Sequence, residues 1–181
     1  MKMVKLHDLE FEPYLDQNTL QESIKSLAKQ IAADYDSKTP VFLGILNGAF
    51  MFLSDLMKYY EGDCEVNFTK LASYEGTSST GQVNTLLGAG NLKGKDVIVV
   101  EDIVDTGNTL EHIIEVLKNE GVASYKIVSL FFKPEAYKKS LNIDYIGLEI
   151  PNKFIVGYGL DYNGLGRNIS EIYQLKSKLN D

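Results

Sequence analysis

Val97-Ile-Val-Val-Glu-Asp-Ile-Val-Asp-Thr-Gly-Asn-Thr-Leu110 runs from an unbroken apolar tetrad through two adjacent acids into a polar turn. A strand covered on both faces of a parallel sheet loses the alternation of apolar and polar residues, so Val97 to Val100 reads as a buried strand of an α/β sheet. A helix follows it. Leu110, Ile113, Ile114 and Leu117 form an apolar stripe at helical spacing, and Gly121 stands where a left-handed residue would end the helix. In open α/β sheets ligands bind beyond the carboxyl ends of the strands, which places Glu101 and Asp102 where a site is expected. The Asp105-Thr-Gly-Asn-Thr109 turn brings backbone N–H groups and the Thr106 and Thr109 hydroxyls to a helix N-terminus. Unpaired donors and the positive end of the helix dipole suit a phosphate there, and Gly107 permits close backbone approach. The carboxylates cannot hold phosphate themselves, but they can accept hydrogen bonds from sugar hydroxyls or bind magnesium. Together these features describe a phosphorylated-sugar site. For a lone Asp-Thr-Gly the plainer reading would be that the acids solubilise a strand end and Asp105 caps the helix.

On the N-terminal side, Val41-Phe-Leu-Gly-Ile-Leu46 is a second short apolar run, broken by Asn47-Gly48 before a helix-like pattern from Ala49 to Tyr60. Further upstream, Thr19-Leu-Gln-Glu22 has the pattern of a capping box, and Leu20, Ile24, Leu27 and Ile31 mark one face of a helix. Val66 and Phe68 suggest a strand, and Ser73 to Gly81 reads as an exposed polar loop. On the C-terminal side, Tyr125 to Phe132 is another apolar run, with shorter ones at Ile143 to Ile150 and Phe154 to Tyr158. Strands alternating with helices predict a mostly parallel central sheet flanked by helices, with the last strands in a small attached lobe.

The chain has 181 residues, 44% of them hydrophobic and 24% charged, which suits one soluble unit of ordinary composition. Eighteen Lys and Arg against 25 Asp and Glu leave a net charge of −7, which argues against nonspecific attraction to nucleic acid or an anionic membrane. The single Cys64 forms no internal disulfide, and with two histidines the usual four-ligand zinc sets are excluded. No apolar run approaches the roughly 20 residues of a spanning helix, so the expected location is cytoplasmic. Gly88-Ala-Gly90 with Gly94 precedes a strand rather than following one and does not make a dinucleotide fingerprint, and Gly94-Lys95 misses the Walker pattern.

The whole pattern from Val99 to Leu110 resembles the 5-phosphoribosyl 1-pyrophosphate (PRPP) signature of the type I phosphoribosyltransferases, and Asp at position 105 resembles their 6-oxopurine branch. The likeness extends along the chain. Ile45 to Leu56 is similar to the family's pyrophosphate-loop segment, and Ser73-Tyr74 with the loop to Gly81 is similar to its catalytic lid. Phe131-Phe-Lys133, Glu149 to Asn163 and Arg167 are similar to its purine-binding part. The resemblance implies the type I phosphoribosyltransferase fold, with a core of about residues 19–140 and a hood from 1–15 and 143–181 in a single domain. It implies a purine-salvage transferase that joins hypoxanthine, and guanine, to PRPP with Mg²⁺ as cofactor, giving IMP or GMP and pyrophosphate.

The resemblance also implies the roles. Asp105 would be the general base toward purine N7. Glu101 and Asp102 would hold ribose and magnesium, and Thr106, Gly107, Asn108 and Thr109 the 5′-phosphate. Lys133, Phe154, Ile155 and Asp161 would bind the purine, with Lys133 on O6, Phe154 stacked on the ring and Asp161 on a second magnesium. Asn47, Gly48, Ser73, Tyr74 and Arg167 would bind pyrophosphate. Many members carry Lys where this chain has Asn47, beside a leucine in a non-proline cis peptide; Asn47 keeps the backbone contact and removes a cation. A homodimer or homotetramer is implied, with neither nucleic acid nor membrane as partner. Two readings stay open beside this one: a PRPP-binding regulator acting on RNA, and a transferase specific for xanthine.

Overall fold

All four side chains of the Val97–Val100 run are buried, and they divide between two cores. Val97 and Val99 point to one face of the sheet and Ile98 and Val100 to the other, so the run cannot alternate with polar residues. The computed structural model describes residues 2–71, 85–87 and 90–176. Its elements begin with β1 (Val4–Leu6), β2 (Leu9–Leu15), α1 (Gln17–Asp34), β3 (Val41–Leu46) and α2 (Phe50–Tyr59). Next come β4 (Glu65–Leu71), β5 (Thr85–Leu87), β6 (Asp96–Val104), α3 (Asn108–Glu120) and β7 (Ser124–Phe132). The chain closes with β8 (Tyr145–Glu149), β9 (Ile155–Val156) and β10 (Ile172–Leu175).

The larger sheet has the order β5-β4-β3-β6-β7-β8, and every neighbouring pair is parallel except β4 with β5. Phe42, Ile98, Val100, Val128 and Leu130 meet α1 and α2 on one face through Leu20, Ile24, Leu27, Phe52, Leu53 and Leu56. Val41, Leu43, Val97, Val99 and Ile127 meet Leu110, Ile113, Ile114 and Leu117 of α3 on the other. Each such side chain fully buried is worth roughly 1.5–3 kcal/mol, which makes the two helical layers the main source of cohesion. Gly121 ends α3 in the left-handed conformation, as its position foretold.

A second, antiparallel sheet has the order β1-β2-β10-β9 and its own small core of Leu6, Phe11, Val156 and Tyr173. This is the hood. The structure differs from the sequence reading in three places. Tyr145–Glu149 joins the larger sheet beside β7, so the hood takes nothing from residues 143–149. Tyr145 is held there because its hydroxyl donates to Asp34 at 2.7 Å and accepts from Lys126 at 2.9 Å, closing α1 over the sheet edge. The first helix begins one turn before the Thr19–Glu22 pattern: Asp16 has the extended backbone of a cap, and its carboxylate accepts the Thr19 N–H at 2.8 Å. Of Phe154 to Tyr158, only Ile155 and Val156 pair as strand, because Gly157, Tyr158 and Gly159 all take positive φ.

Candidate active site

The strand order fixes where a site can form. From β3 the chain passes through α2 to β4 on one side, and from β6 through α3 to β7 on the other, so the topology switches between β3 and β6. A crevice opens there beyond the carboxyl ends of the strands. The turn after β3, Asn47-Gly48, and the acids of β6, Glu101 and Asp102, are its two lips. They are in close contact, since a Cβ on Gly48 would overlap the Asp102 carboxylate. The Leu46–Asn47 peptide bond is cis.

A cavity of about 350 Å³ occupies the crevice, lined by Ile45, Leu46, Gly48 and every residue from Glu101 to Leu110. At its far side α3 starts with Gly107 as N-cap, and no side chain caps it. Asp105 therefore does not cap this helix, and the first-turn N–H groups keep their capacity for an anion. Gly107 is required twice over: its φ is 84°, and a Cβ would lie 2.5 Å from the Tyr137 ring and 2.8 Å from Lys139 Cγ.

A second cavity, about 220 Å³, adjoins the first under the hood and is lined by Gly48, Asp102, Ile103, Asp105, Lys133, Phe154, Ile155, Leu160, Asp161 and Arg167. The two cavities share Gly48, Asp102, Ile103 and Asp105. Lys133 directly follows β7; its N–H donates to the Val104 carbonyl at 3.0 Å, and its Nζ donates to Asp105 Oδ2 at 2.8 Å from a buried side chain. Phe154 is 44% exposed, and its ring is propped by Phe11 at 6.1 Å and by Tyr162, edge-on, at 5.9 Å. One face of a braced aromatic ring is thus open to the cavity. Arg167 donates through Nη1 to the Gly159 carbonyl at 2.7 Å and pairs through Nη2 with Asp161 at 2.7 Å. The other Asp161 oxygen accepts the Gly164 N–H at 2.7 Å.

The comparisons agree with this geometry. A signature of the phosphoribosyl transferase domain matches residues 12–163. A hypoxanthine-guanine phosphoribosyltransferase of Staphylococcus aureus is 41% identical over 93% of this chain and 95% of its own length. One of Streptococcus pyogenes is 39% identical over 90% and 92%. The crystal structure of a hypoxanthine-guanine phosphoribosyltransferase of Bacillus anthracis superposes with a TM-score of 0.84 at 35% identity, covering 92% of this chain and 97% of that one. The chain belongs to the hypoxanthine-guanine phosphoribosyltransferase family.

Of the residues this family's pattern singled out, the structure gathers Gly48, Glu101, Asp102 and Asp105 to Thr109 around the first cavity, and Lys133, Phe154, Ile155, Asp161 and Arg167 around the second. Asn47 is exposed and lines neither. Ser73 and Tyr74, with the rest of the expected lid to Gly81, lie outside the described residues. Ile103 and Leu160 also line the cavities and were not singled out. Ile103 is indistinguishable in sequence from its buried strand neighbours, and Leu160 carries no polar atom to mark it.

Burial raises both β6 carboxyls. Glu101 is pushed well above the ordinary range by desolvation and by the neighbouring Asp102. Asp102 is pushed up to about 6 by desolvation, against the pull of backbone N–H groups and of the Arg167 guanidinium. Among the described residues, no three His, Cys, Asp or Glu side chains gather as a metal-binding group. Two buried hard-oxygen ligands with open coordination suit an ion such as Mg²⁺, which commonly takes one or two carboxylates from protein and the rest from water and substrate phosphates. Asp161 stands apart from that pair, engaged with Arg167.

Proposed function

We infer that the protein transfers the phosphoribosyl group of PRPP to N9 of hypoxanthine, and of guanine, forming IMP or GMP and releasing pyrophosphate in purine salvage. The observation that carries this reading is the wall common to the two cavities. A helix N-terminus suited to the 5′-phosphate and a pocket with a braced aromatic ring and a buried lysine meet at Asp102 and Asp105.

In this reading N9 attacks C1′ as the bond to pyrophosphate breaks, through a transition state with oxocarbenium-like charge on the ribose. Thr106 to Thr109 hold the 5′-phosphate. Glu101 and Asp102 accept hydrogen bonds from the ribose hydroxyls and would hold a magnesium ion, and Asp161 would hold a second. Bound there, magnesium would supply positive charge against that of pyrophosphate; the buried carboxyl pair fits it, since a cation would offset the desolvation that raises both groups. Phe154 stacks on the purine, and Ile155 flanks it. Lys133 donates to O6, an acceptor that the amino group of adenine cannot replace. In reaching O6, Lys133 gives up part of its bond to Asp105 and frees that carboxylate to take the N7 proton. Gly48 and Arg167, with Asn47, Ser73 and Tyr74, hold pyrophosphate. The working assembly is a homodimer or homotetramer in the cytoplasm; no helix among the described residues is long and apolar enough to cross a membrane.

The test is incubation with PRPP, Mg²⁺ and each of hypoxanthine, guanine, xanthine and adenine, with the nucleotide product resolved chromatographically. IMP and GMP without AMP are expected. Product from xanthine alone would replace this substrate assignment, and no product from any base would remove the transferase reading.

A further inference from the structure

Tyr158 is among the largest fully buried side chains of the described residues and lines neither cavity. It is 2% exposed and has a φ of 47°, a conformation in which a bulky side chain is an outlier that its surroundings must hold. Gly157 and Gly159 on either side have φ of 103° and 99°. The Tyr158 N–H donates to the Ile169 carbonyl at 2.7 Å, and the Gly159 N–H to the Arg167 carbonyl at 3.0 Å. The Gly159 carbonyl in turn accepts from the Arg167 guanidinium at 2.7 Å. Gly159 also presses on the pyrophosphate-side turn, where a Cβ would overlap the Gly48 carbonyl oxygen.

The side chain points away from both cavities, toward the helices. Its hydroxyl donates to Asp55 Oδ2 of α2 and accepts from Gln21 Nε2 of α1 at 3.3 Å. Gln21 Nε2 also donates to Asp55 Oδ2 at 2.6 Å, Lys58 donates to Asp55 Oδ1 at 2.6 Å, and the Tyr59 hydroxyl donates to Gln21 Oε1 at 3.1 Å. Burial alone would raise the Asp55 carboxyl, but the bonds from Lys58, Tyr158 and Gln21 outweigh it and hold Asp55 below its usual range. Asp55 thus stays an anionic acceptor. Helix α2 grows directly out of the Asn47–Gly48 turn, with the Ala49 N–H bonded to the Ile45 carbonyl at 3.2 Å. One hydroxyl–carboxylate bond therefore ties together both sides of the contact between Gly48 and Gly159.

We propose that Tyr158 is a positioning residue for pyrophosphate: by bonding Asp55 it holds the Gly157–Gly159 turn against Gly48 and so sets both Arg167 and the Asn47–Gly48 turn. The proposal rests on the assignment of those groups to pyrophosphate made above. Tyr158 lines neither cavity, so it acts only through the backbone it holds and not by contact with substrate.

Steady-state kinetics in both directions test it, using hypoxanthine with PRPP and IMP with pyrophosphate, on the wild type, Tyr158→Phe, Asp55→Asn and the double variant. Tyr158→Phe should raise KM for PRPP and for pyrophosphate about tenfold, the scale of one hydrogen bond to a charged group, and leave KM for hypoxanthine within about twofold. Asp55→Asn should raise the same two constants, and the double variant should be no worse than the worse single one. A structural role alone would lower the melting temperature and the active fraction without separating the KM values. PRPP and pyrophosphate constants unchanged in the folded variants, a parallel rise for hypoxanthine, or additive effects in the double variant would each overturn the proposal. Should Tyr158→Phe fail to fold, Asp55→Asn alone decides by the same constants. A wild type that makes no nucleotide in this assay would remove the transferase reading, and this inference with it.

Discussion

Asp105 and Lys133 are bonded at 2.8 Å before any base arrives, although 28 positions separate them in the chain. In the proposed reaction a purine entering between them would change partners for both, coupling recognition of O6 to freeing of the Asp105 carboxylate. Asp105→Asn keeps the size and an acceptor but cannot take a proton, so turnover should fall about 10²- to 10⁴-fold while circular dichroism and IMP binding persist. Unchanged turnover would remove the base assignment. Phe154 contributes differently, through ring area and the prop given by Phe11 and Tyr162. Phe154→Ala should raise KM for hypoxanthine and weaken IMP binding by about tenfold or more while KM for PRPP changes less, since a stacked ring is worth about 0.5–1.5 kcal/mol beyond the area it buries. At this scale the sequence was legible wherever chemistry and motif coincided, as at Glu101 to Thr109. Pairings such as Lys133 with Asp105, or Tyr158 with Asp55, needed coordinates, because neither spacing lies within one element.

The turn Asp105–Thr109 works as an element because α3 begins without a side-chain cap, leaving its first N–H groups to a ligand. Gly107→Ala would force a left-handed Ala, at about 1–2 kcal/mol, and drive its methyl group into Tyr137 and Lys139. We expect KM for PRPP to rise at least about tenfold with little change for hypoxanthine, measured with each substrate varied in turn. Elements buried on both faces, such as Val41–Leu46 and Val97–Val100, could be read from their unbroken apolar runs. The hairpin of β1 and β2 could not. Pro13 within the run argues against a strand, and its partner strand β10 lies some 160 positions away, with Gln174 paired to Glu12. Asp16 was hidden as the cap because Thr19 to Glu22 imitates the same signal one turn later.

Across the whole molecule, the acids of β6 set function against stability. The Asp102 carboxyl is raised from 3.8 to about 6 on folding. A raised acid makes the folded state hold its proton more tightly than the unfolded chain does. The stabilisation is therefore fully present below about pH 4 and is lost as pH rises through 6, with Glu101 adding in the same direction. Other acids paired in the fold act in the opposite sense, so the contrast belongs in a variant. The melting temperature of Asp102→Asn minus that of the ligand-free wild type should grow from pH 4 to pH 7. A constant difference would show that Asp102 is not desolvated as described. Binding of Mg²⁺ should strengthen over the same range, as the carboxyl pair gains negative charge. The net charge of −7 argued against extended polyanions and said nothing of a small one, because backbone donors at α3 and the lining cations Lys133 and Arg167 act locally.

In the proposed reaction, base and phosphate occupy adjoining cavities across Asp102 and Asp105. A crystal structure with IMP tests it most directly. The phosphate is expected on the N–H groups and hydroxyls of Thr106 to Thr109, and the hypoxanthine ring against Phe154 with O6 in hydrogen-bond reach of Lys133. A nucleotide bound elsewhere, or reversed with its base on the Thr106–Thr109 turn, would contradict it.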